Sequence, residues 1–220
     1  MTDTLPTLTV FDWVPEIVRG LVRDLRVRWA FEELGQPYAV EKVQARGPKP
    51  EGYVARQPFE QVPALADGDL HLFESGAMLL YLAEKHGGLL PADPQAAWTA
   101  KGWLFAAFNS VEPVATRLFS YAVFMADQPW SAGARAPAEA LAKQRLKRLS
   151  DALEGKDWLA GEFSIADIAM VTVLENLRPT GLVEQEPAVA AYVARAKARP
   201  AYAKAYADQL ADYDGQPFTM

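Results

Sequence analysis

Two short groups of residues in the first third of the chain have the types and the spacing needed to hold a small peptide. The first is Gln61-Val62-Pro63, which stands in front of an apolar run. Proline cannot donate to a β-ladder, so within a sheet it is confined to the start of a strand or to an edge. If the Val62–Pro63 bond is cis, the N–H and C=O of Val62 point outward, and an extended peptide can bond to both. If the bond is trans, as most X–Pro bonds are, the same residues form an ordinary loop.

The second group is Glu74-Ser75, where a helix is predicted to begin. The Ser75 hydroxyl and the free N–H groups of a first helical turn suit a carboxylate, and the helix dipole adds to the attraction. Glu74 beside it can meet an ammonium group. The alternative is a plain N-cap with an acidic first turn. The spacing of the two groups favours a grip on both the backbone and the carboxylate of a peptide.

Composition limits the other functions open to the chain. Its 220 residues include no cysteine, which excludes disulfides and a cysteine nucleophile, so any thiol chemistry must use the sulfur of another molecule. The net charge of −6 and the lack of a long Lys/Arg run argue against nucleic acid or an anionic membrane as partner. With only His71 and His86 present, no metal site is expected. No signal peptide or membrane-spanning stretch is recognisable, which predicts a soluble cytoplasmic protein.

The elements that must position these groups form an α/β pattern in residues 1–86. Hydrophobic periodicity predicts a long helix over Val18–Leu34 and a second one over Glu74–His86. A further short helix is allowed between residues 45 and 59. Strands are predicted at Leu8–Phe11, Tyr38–Val43, Pro63–Ala66 and Leu70–Phe73, the last two as a hairpin. The resulting order is β-α-β-α-β-β-α.

Strand signals vanish after a Gly/Pro-rich break at residues 87–94, which predicts an all-helical second domain over residues 94–220. Pro113 is expected to kink or divide the first helix of this domain. The predicted helices are Gln95–Ala126, Pro137–Leu153, Ile165–Leu177, Pro187–Ala198 and Ala201–Leu210.

The pattern resembles the glutathione transferase superfamily, whose thioredoxin-like N-terminal domain carries Val-Pro before its third strand and Glu-Ser, or a similar pair, at its third helix. Ser164-Ile165-Ala166-Asp167 looks like the buried helix-capping box of the family, and we assign Ser164 and Asp167 to folding. Because the similar segments span nearly the whole chain, it is identified by resemblance as a bacterial-type member of this superfamily. The other similar segments are Leu34-Gly35-Gln36-Pro37-Tyr38, Gln57-Pro58-Phe59 and Arg199-Pro200-Ala201-Tyr202.

The resemblance implies glutathione as co-substrate and no metal. Val62 would bond the cysteinyl backbone of the ligand, and Gln61 would lie near its glycyl or backbone end. Pro63 would set the cis geometry. Glu74 and Ser75 would hold the amine and the carboxylate of the γ-glutamyl group.

The chain departs from the family at the catalytic position. Catalytic members place a Tyr, Ser or Cys just after the first strand, but Phe11–Arg23 contains none of the three. Counting back from the Arg-Gly pair, as in tyrosine-type members, leads to Pro15. A free thiol has a pKa near 8.5, so another group must stabilise the thiolate.

Nearby guanidinium groups are the expected substitute for the missing hydroxyl. Arg19, Arg23 and Arg26 recur at helical spacing and would share one face of the predicted first helix. We predict that Arg23 stabilises the thiolate, with Arg19 as the second choice. The alternative is that these arginines form a solvated face or pair with Asp24 and Glu32.

The resemblance implies an enzyme that adds the glutathione thiolate to a small hydrophobic electrophile, or reduces peroxides with it. A homodimer is also implied by the family. The alternative is a non-catalytic glutathione-binding or protein-interaction module with the same fold, and a glutathione-dependent isomerase is a third possibility. A stripe on the second domain is predicted as core or as a wall of the substrate site. It comprises Trp98, Phe105, Asn109 and Glu112, with Tyr121 further along.

Overall fold

A four-stranded mixed sheet forms the centre of the N-terminal part. The computed structural model describes residues 5–218. The strands are β1 (Thr7–Phe11), β2 (Ala39–Val43), β3 (Ala64–Asp67) and β4 (Leu70–Phe73). The order across the sheet is β2-β1-β3-β4, with β1 parallel to β2 and antiparallel to β3, and β3 antiparallel to β4. This arrangement confirms the predicted thioredoxin-like α/β fold.

Three helices accompany the sheet: α1 (Asp24–Glu33), α2 (Tyr53–Arg56) and α3 (Ser75–His86). The predicted start of α1 at Val18 is wrong. Residues Glu16–Val18 form a single 3-10 turn, and Gly20 then adopts a φ of +79°, a left-handed conformation that cannot continue a right-handed helix. Residues 12–23 therefore form a loop, called the β1–α1 loop below.

The C-terminal part is helical, as predicted. Its helices are α4 (Pro94–Ala106), α5 (Glu112–Val123), α6 (Ser131–Ala152), α7 (Ile165–Leu174), α8 (Pro187–Lys197) and α9 (Pro200–Ala211). A π-helical turn separates α4 from α5, where Pro113 occupies the first turn, so the predicted division occurs. Ser164 and Asp167 form a capping box at the start of α7, whose ten residues are all buried.

The chain divides into two compact units between Leu89 and Leu90. The second unit ends at Arg199, and α9 with the segment after it packs in the first unit. The helical pattern assigns this segment to the predicted second domain, residues 94–220, because periodicity does not show what a helix packs against. Helix α9 contacts the first unit through a buried polar contact, in which the Gln209 side chain donates to the Asp24 carboxylate (2.8 Å) and to the carbonyl of Val22 (3.2 Å), and through the ring of Tyr202 against Trp29.

Within residues 5–218, every helix is too short or too polar to cross a bilayer.

Candidate functional site

Val62 presents an open backbone edge at the start of β3. The Val62–Pro63 bond is cis, and the strand begins one residue later, at Ala64. Val62 and Pro63 are buried, whereas Gln61 is exposed. Among residues 5–218, the N–H and the C=O of Val62 have no protein partner. This edge offers one donor and one acceptor, as an extended peptide requires.

Two buried side chains fix the backbone that precedes Val62 by hydrogen bonds. The Tyr53 hydroxyl donates to the carbonyl of Gln61 at 2.6 Å. Burial raises the pKa of Tyr53 to about 12, so the hydroxyl keeps its proton and remains a donor. The Gln57 side-chain oxygen accepts from the N–H groups of Phe59 (2.7 Å) and Gln61 (3.1 Å). The backbone before the cis bond is thus fixed by hydrogen bonds rather than by strand pairing.

Helix α2, which carries Tyr53, is tied to the sheet by an ion pair. The Arg56 guanidinium donates to both carboxylate oxygens of Glu41 on β2, at 2.8 and 3.1 Å. The Thr9 hydroxyl donates to the same carboxylate at 2.7 Å. Because Arg56 hydrogen-bonds the charged form, the pKa of Glu41 lies below its usual value of 4.5, with Thr9 acting in the same direction.

The lowered pKa of Glu41 predicts a pH-dependent contribution to stability. A carboxyl with a depressed pKa in the folded state stabilises the fold above its unfolded pKa, and this contribution is lost as pH falls through the folded pKa. We expect the Glu41→Gln variant to be less stable than the parent by about 1 kcal/mol or less at neutral pH, since water screens this partly exposed pair. The difference should shrink below pH 4.5. Urea unfolding of both proteins at a series of pH values measures it, and a constant difference would contradict the prediction.

Glu74 holds an unusual backbone conformation at the start of α3. It occupies the N-cap position with φ 70° and ψ 116°, and its side chain is exposed. A positive φ costs a residue other than glycine about 1–3 kcal/mol and persists only where the surrounding structure enforces it. Such strain is concentrated at ligand-binding positions, which makes Glu74 a candidate contact.

Ser75 does not act as a helix cap. The N-cap is Glu74, no side chain caps α3, and Ser75 is the first residue inside the helix. The alternative of a plain serine N-cap is therefore wrong. The Ser75 hydroxyl instead accepts a hydrogen bond at 3.2 Å from the Arg26 guanidinium of α1, and both residues are buried. This pair brings a cationic group behind the hydroxyl, which favours an anion in front of it.

The β1–α1 loop places the predicted thiol-activating arginines differently from the sequence analysis. The premise that Arg19, Arg23 and Arg26 share one helix face is wrong, because α1 begins at Asp24 and Arg19 lies in the loop with extended backbone. Arg23 is the N-cap residue of α1 and is half-buried. Arg26 alone of the three is inside the helix, and it turns to Ser75.

The two acids proposed as partners of these arginines are held by other cations. The Asp24 carboxylate accepts from Arg28 at 2.7 Å. The Glu32 carboxylate lies 3.1 Å from the Lys204 ammonium group. The structure therefore pairs Asp24 with Arg28 and Glu32 with Lys204. This arrangement replaces the alternative in which both acids pair with Arg19, Arg23 and Arg26.

In the second unit, the residues of the predicted stripe differ in their exposure to solvent. Trp98 on α4 is 70% exposed and Phe105 is 55% exposed, so neither is core within this unit. Asn109 is exposed and Glu112 half-buried. Tyr121 on α5 contacts Trp130 edge to face, with 5.9 Å between the ring centroids. The stripe is an aromatic surface of the second unit.

Sequence reasoning missed three residues that support the site: Tyr53, Gln57 and Arg26. In the sequence, Gln57 stands out only within a segment similar to the family, and Arg26 only as one of three arginines at helical spacing. A signal existed for Arg26, because an arginine on the apolar side of an amphipathic helix must be paired when it is buried. No local pattern shows that its partner lies 49 positions further along the chain.

Comparison with known proteins gives consistent matches to one family. A family model described as glutathione S-transferase, N-terminal domain, matches residues 6–84, and one described as glutathione S-transferase, C-terminal domain, matches residues 112–200. Glutathione S-transferase F14 of Arabidopsis thaliana is 33% identical over 162 residues, which span 67% of this chain and 63% of that protein. Glutathione S-transferase 4 of Zea mays is 30% identical over 214 residues, which span 89% of this chain and 90% of that protein.

A solved structure extends the similarity to the arrangement of the backbone. The crystal structure of a glutathione transferase from Pseudomonas putida, with one glutathione disulfide bound per subunit, is 27% identical in sequence. It aligns with a TM-score of 0.79 over 92% of this chain and 90% of its own. The two family models match the α/β part and the helical part of the chain in turn. The chain therefore belongs to the glutathione transferase superfamily.

Proposed function

We propose that this protein binds glutathione on its first unit and transfers the glutathione thiolate to a small hydrophobic electrophile, or uses it to reduce peroxides. The observation that carries the proposal is the Ser75–Arg26 pair beside a strained Glu74, in the same unit as the open backbone edge of Val62. Membership of the family supports the choice of glutathione among small peptides. The same membership supports a homodimer.

Each group in the site suits one part of the tripeptide. Val62 would exchange two backbone hydrogen bonds with the cysteinyl residue, next to the cis Pro63, and Gln61 would lie near its glycyl or backbone end. Ser75 would bind the γ-glutamyl carboxylate with the Arg26 charge behind it. The exposed Glu74 carboxylate would receive the γ-glutamyl amine. The exposed aromatic surface of Trp98 and Phe105 suits an apolar electrophile.

The proposal is tested in two steps. Calorimetric titration with glutathione measures binding, and conjugation of a panel of apolar electrophiles, together with peroxide and disulfide consumption, measures turnover. Binding with turnover above the uncatalysed rate is expected. Binding without turnover across the panel would favour the alternative, a glutathione-binding module, which the lack of Tyr, Ser and Cys in residues 12–23 makes a specific possibility. No binding at millimolar glutathione would refute the proposal.

Replacing Glu74 by glycine is expected to raise stability while lowering glutathione affinity. Glycine adopts a positive φ without steric cost, so the free energy of unfolding should rise by about 1 kcal/mol. The lost carboxylate should weaken binding, because it no longer meets the γ-glutamyl amine. Glu60, also exposed with a φ of +54°, offers the matched control. Glu60→Gly should gain stability without losing affinity, and equal affinities of the two variants would remove Glu74 from the site.

Arg23 is the group we propose to stabilise the thiolate, since it lies at the N-terminal end of α1, where the helix dipole also favours an anion. In the Arg23→Ala variant the thiolate fraction of bound glutathione, read from ultraviolet absorbance against pH, should fall by about tenfold, because one pKa unit corresponds to about 1.4 kcal/mol. Arg148→Ala, which removes an equal charge from an exposed position on α6, is the control. Equal thiolate fractions in the two variants would exclude Arg23 and leave Arg19 as the second candidate.

A further inference from the structure

The segment that follows α9 lies against the β1–α1 loop and makes contacts at both ends of it. We call residues Asp212–Phe218 the C-terminal strap. The N–H of Gly215 donates to the carbonyl of Asp12 at 3.0 Å. The ring of Phe218 meets Trp13 edge to face, with 4.7 Å between the centroids. These contacts hold the loop where it leaves β1.

The other end of the loop is held by two tyrosines. The Arg19 guanidinium lies over the ring of Tyr213, 5.8 Å from its centroid. Tyr206 of α9 approaches Gly20 so closely that a Cβ on this glycine would lie 2.7 Å from the tyrosine ring. Gly20 is thus required both for its φ of +79° and for this approach. The loop is therefore supported at Asp12, Trp13, Arg19 and Gly20 by one continuous piece of chain.

The strap is itself fixed to the first unit by charges and by an aromatic contact. Asp212 lies 2.7 Å from Arg28 and 3.2 Å from Lys42, and Asp214 lies 2.9 Å from Lys42. The Arg46 guanidinium lies 4.8 Å from the centroid of the Phe218 ring. The strap thus joins the buried network of α1 to the loop in front of that helix.

We propose that the C-terminal strap is a positioning element. It holds the β1–α1 loop, and with it Arg19 and the residues that lead to Arg23. Its consequence for glutathione rests on the function proposed above, but the support of the loop does not. In a chain that lacks the usual hydroxyl or thiol in this loop, the placement of the remaining polar groups depends on how the loop is held. The contacts of the strap add to hydrogen bonds that the loop already makes, such as the N–H of Asp12 to the carbonyl of Val43 (2.9 Å) and the N–H of Val18 to the carbonyl of Pro15 (3.0 Å).

Gly215 provides a sharp test, because a Cβ there would lie 2.6 Å from the Asp12 carboxyl carbon and 2.9 Å from its Cβ. Gly215→Ala should therefore push the strap away from the loop. Gly133→Ala on α6 is the matched control, since a Cβ at Gly133 meets nothing within 4 Å. Hydrogen exchange of the amides of residues 12–23 should quicken by about tenfold in Gly215→Ala, and the amides of α3 should be unchanged. A general loss of stability would quicken both.

The second variant, Phe218→Ala, removes the contact with Trp13 without adding an atom and should quicken exchange near Asp12 and Trp13.

Glutathione affinity and the thiolate fraction of bound glutathione should fall by about threefold or more in Gly215→Ala and stay unchanged in Gly133→Ala. Unchanged exchange in both strap variants would overturn the proposal. Quicker exchange with unchanged affinity and thiolate fraction would overturn the positioning role. If the parent protein bound no glutathione, the proposed function would fail, while the exchange measurement would still decide whether the strap holds the loop.

Discussion

Replacing Ser75 by alanine is expected to weaken glutathione binding by about 10- to 100-fold. A hydrogen bond to a charged group contributes about 1.5–3 kcal/mol, and Ser75 is the residue proposed to bind the γ-glutamyl carboxylate. The variant also removes one acceptor of the Arg26 guanidinium, so the cation next to the site loses one hydrogen bond. Isothermal calorimetry with glutathione measures the change in affinity.

The control for Ser75→Ala is a second buried serine at a helix start. Ser164 caps α7 in the other unit, where its hydroxyl accepts from the N–H of Ala166. Ser164→Ala should lower the free energy of unfolding by about 1 kcal/mol and leave glutathione affinity unchanged. If Ser75→Ala also cost only stability, Ser75 would be a structural residue and the proposed carboxylate site would be wrong.

Replacing Arg28 by methionine is expected to lower the free energy of unfolding by about 3–5 kcal/mol, the typical effect of removing one partner of a buried ion pair. Arg28 is 1% exposed and contacts Asp24 and Asp212, both at 2.7 Å. Burial raises the pKa of Asp24, while Arg28 lowers it. Without Arg28, the Gln209 side chain would be the one hydrogen-bonding partner of the Asp24 carboxylate from another residue within 5–218.

The sign of the pH dependence follows from Asp24. A carboxyl whose pKa is raised in the folded state lowers the stability of the fold as pH rises above the usual pKa of 3.8. The deficit of Arg28→Met should therefore be smaller in acid than at neutral pH, and the double variant Asp24→Asn/Arg28→Met should be more stable than Arg28→Met.

Arg135 on α6 provides the matched control for Arg28. It also pairs with an acid four positions away, Glu139, but both side chains are at least 30% exposed. Arg135→Met should cost less than about 1 kcal/mol. Denaturant unfolding of both variants tests the contrast. Equal losses would show that burial does not govern the Arg28 network.

Patterns of local origin could be predicted from the sequence. The hairpin around Gly68 and the helix after Glu74 follow from turn residues and apolar periodicity. The start of α1 could not be predicted in this way, because apolar residues from Val18 onward keep helical spacing while Gly20 breaks the helix. The destination of α9 also has no local signal, since Gln209 and Asp24 lie 185 positions apart.

In the candidate site, too, local sequence patterns are readable, whereas contacts between residues far apart in sequence are not. The predicted ligand-binding residues form two short groups whose residue types have specific backbone roles, so local patterns suffice to propose them. They are Gln61, Val62, Pro63, Glu74 and Ser75. What stands behind them depends on contacts between elements, as between Arg26 and Ser75 or Arg56 and Glu41. The positive φ of Glu74 could not be predicted, because glutamate has no preference for it.

The first unit is completed by residues that are synthesised after the whole of the second unit. While the ribosome is still extending the middle of the chain, the sheet and α1 are already available, but Gln209 and Asp212 do not yet exist to meet Asp24 and Arg28. Domains commonly fold in order from the N-terminus during translation. Here the first unit cannot be completed before the second unit has been synthesised. Until α9 is available, the polar face of α1 must remain hydrated. A gene fragment ending at Leu89 would therefore encode the sheet without the helix that closes it.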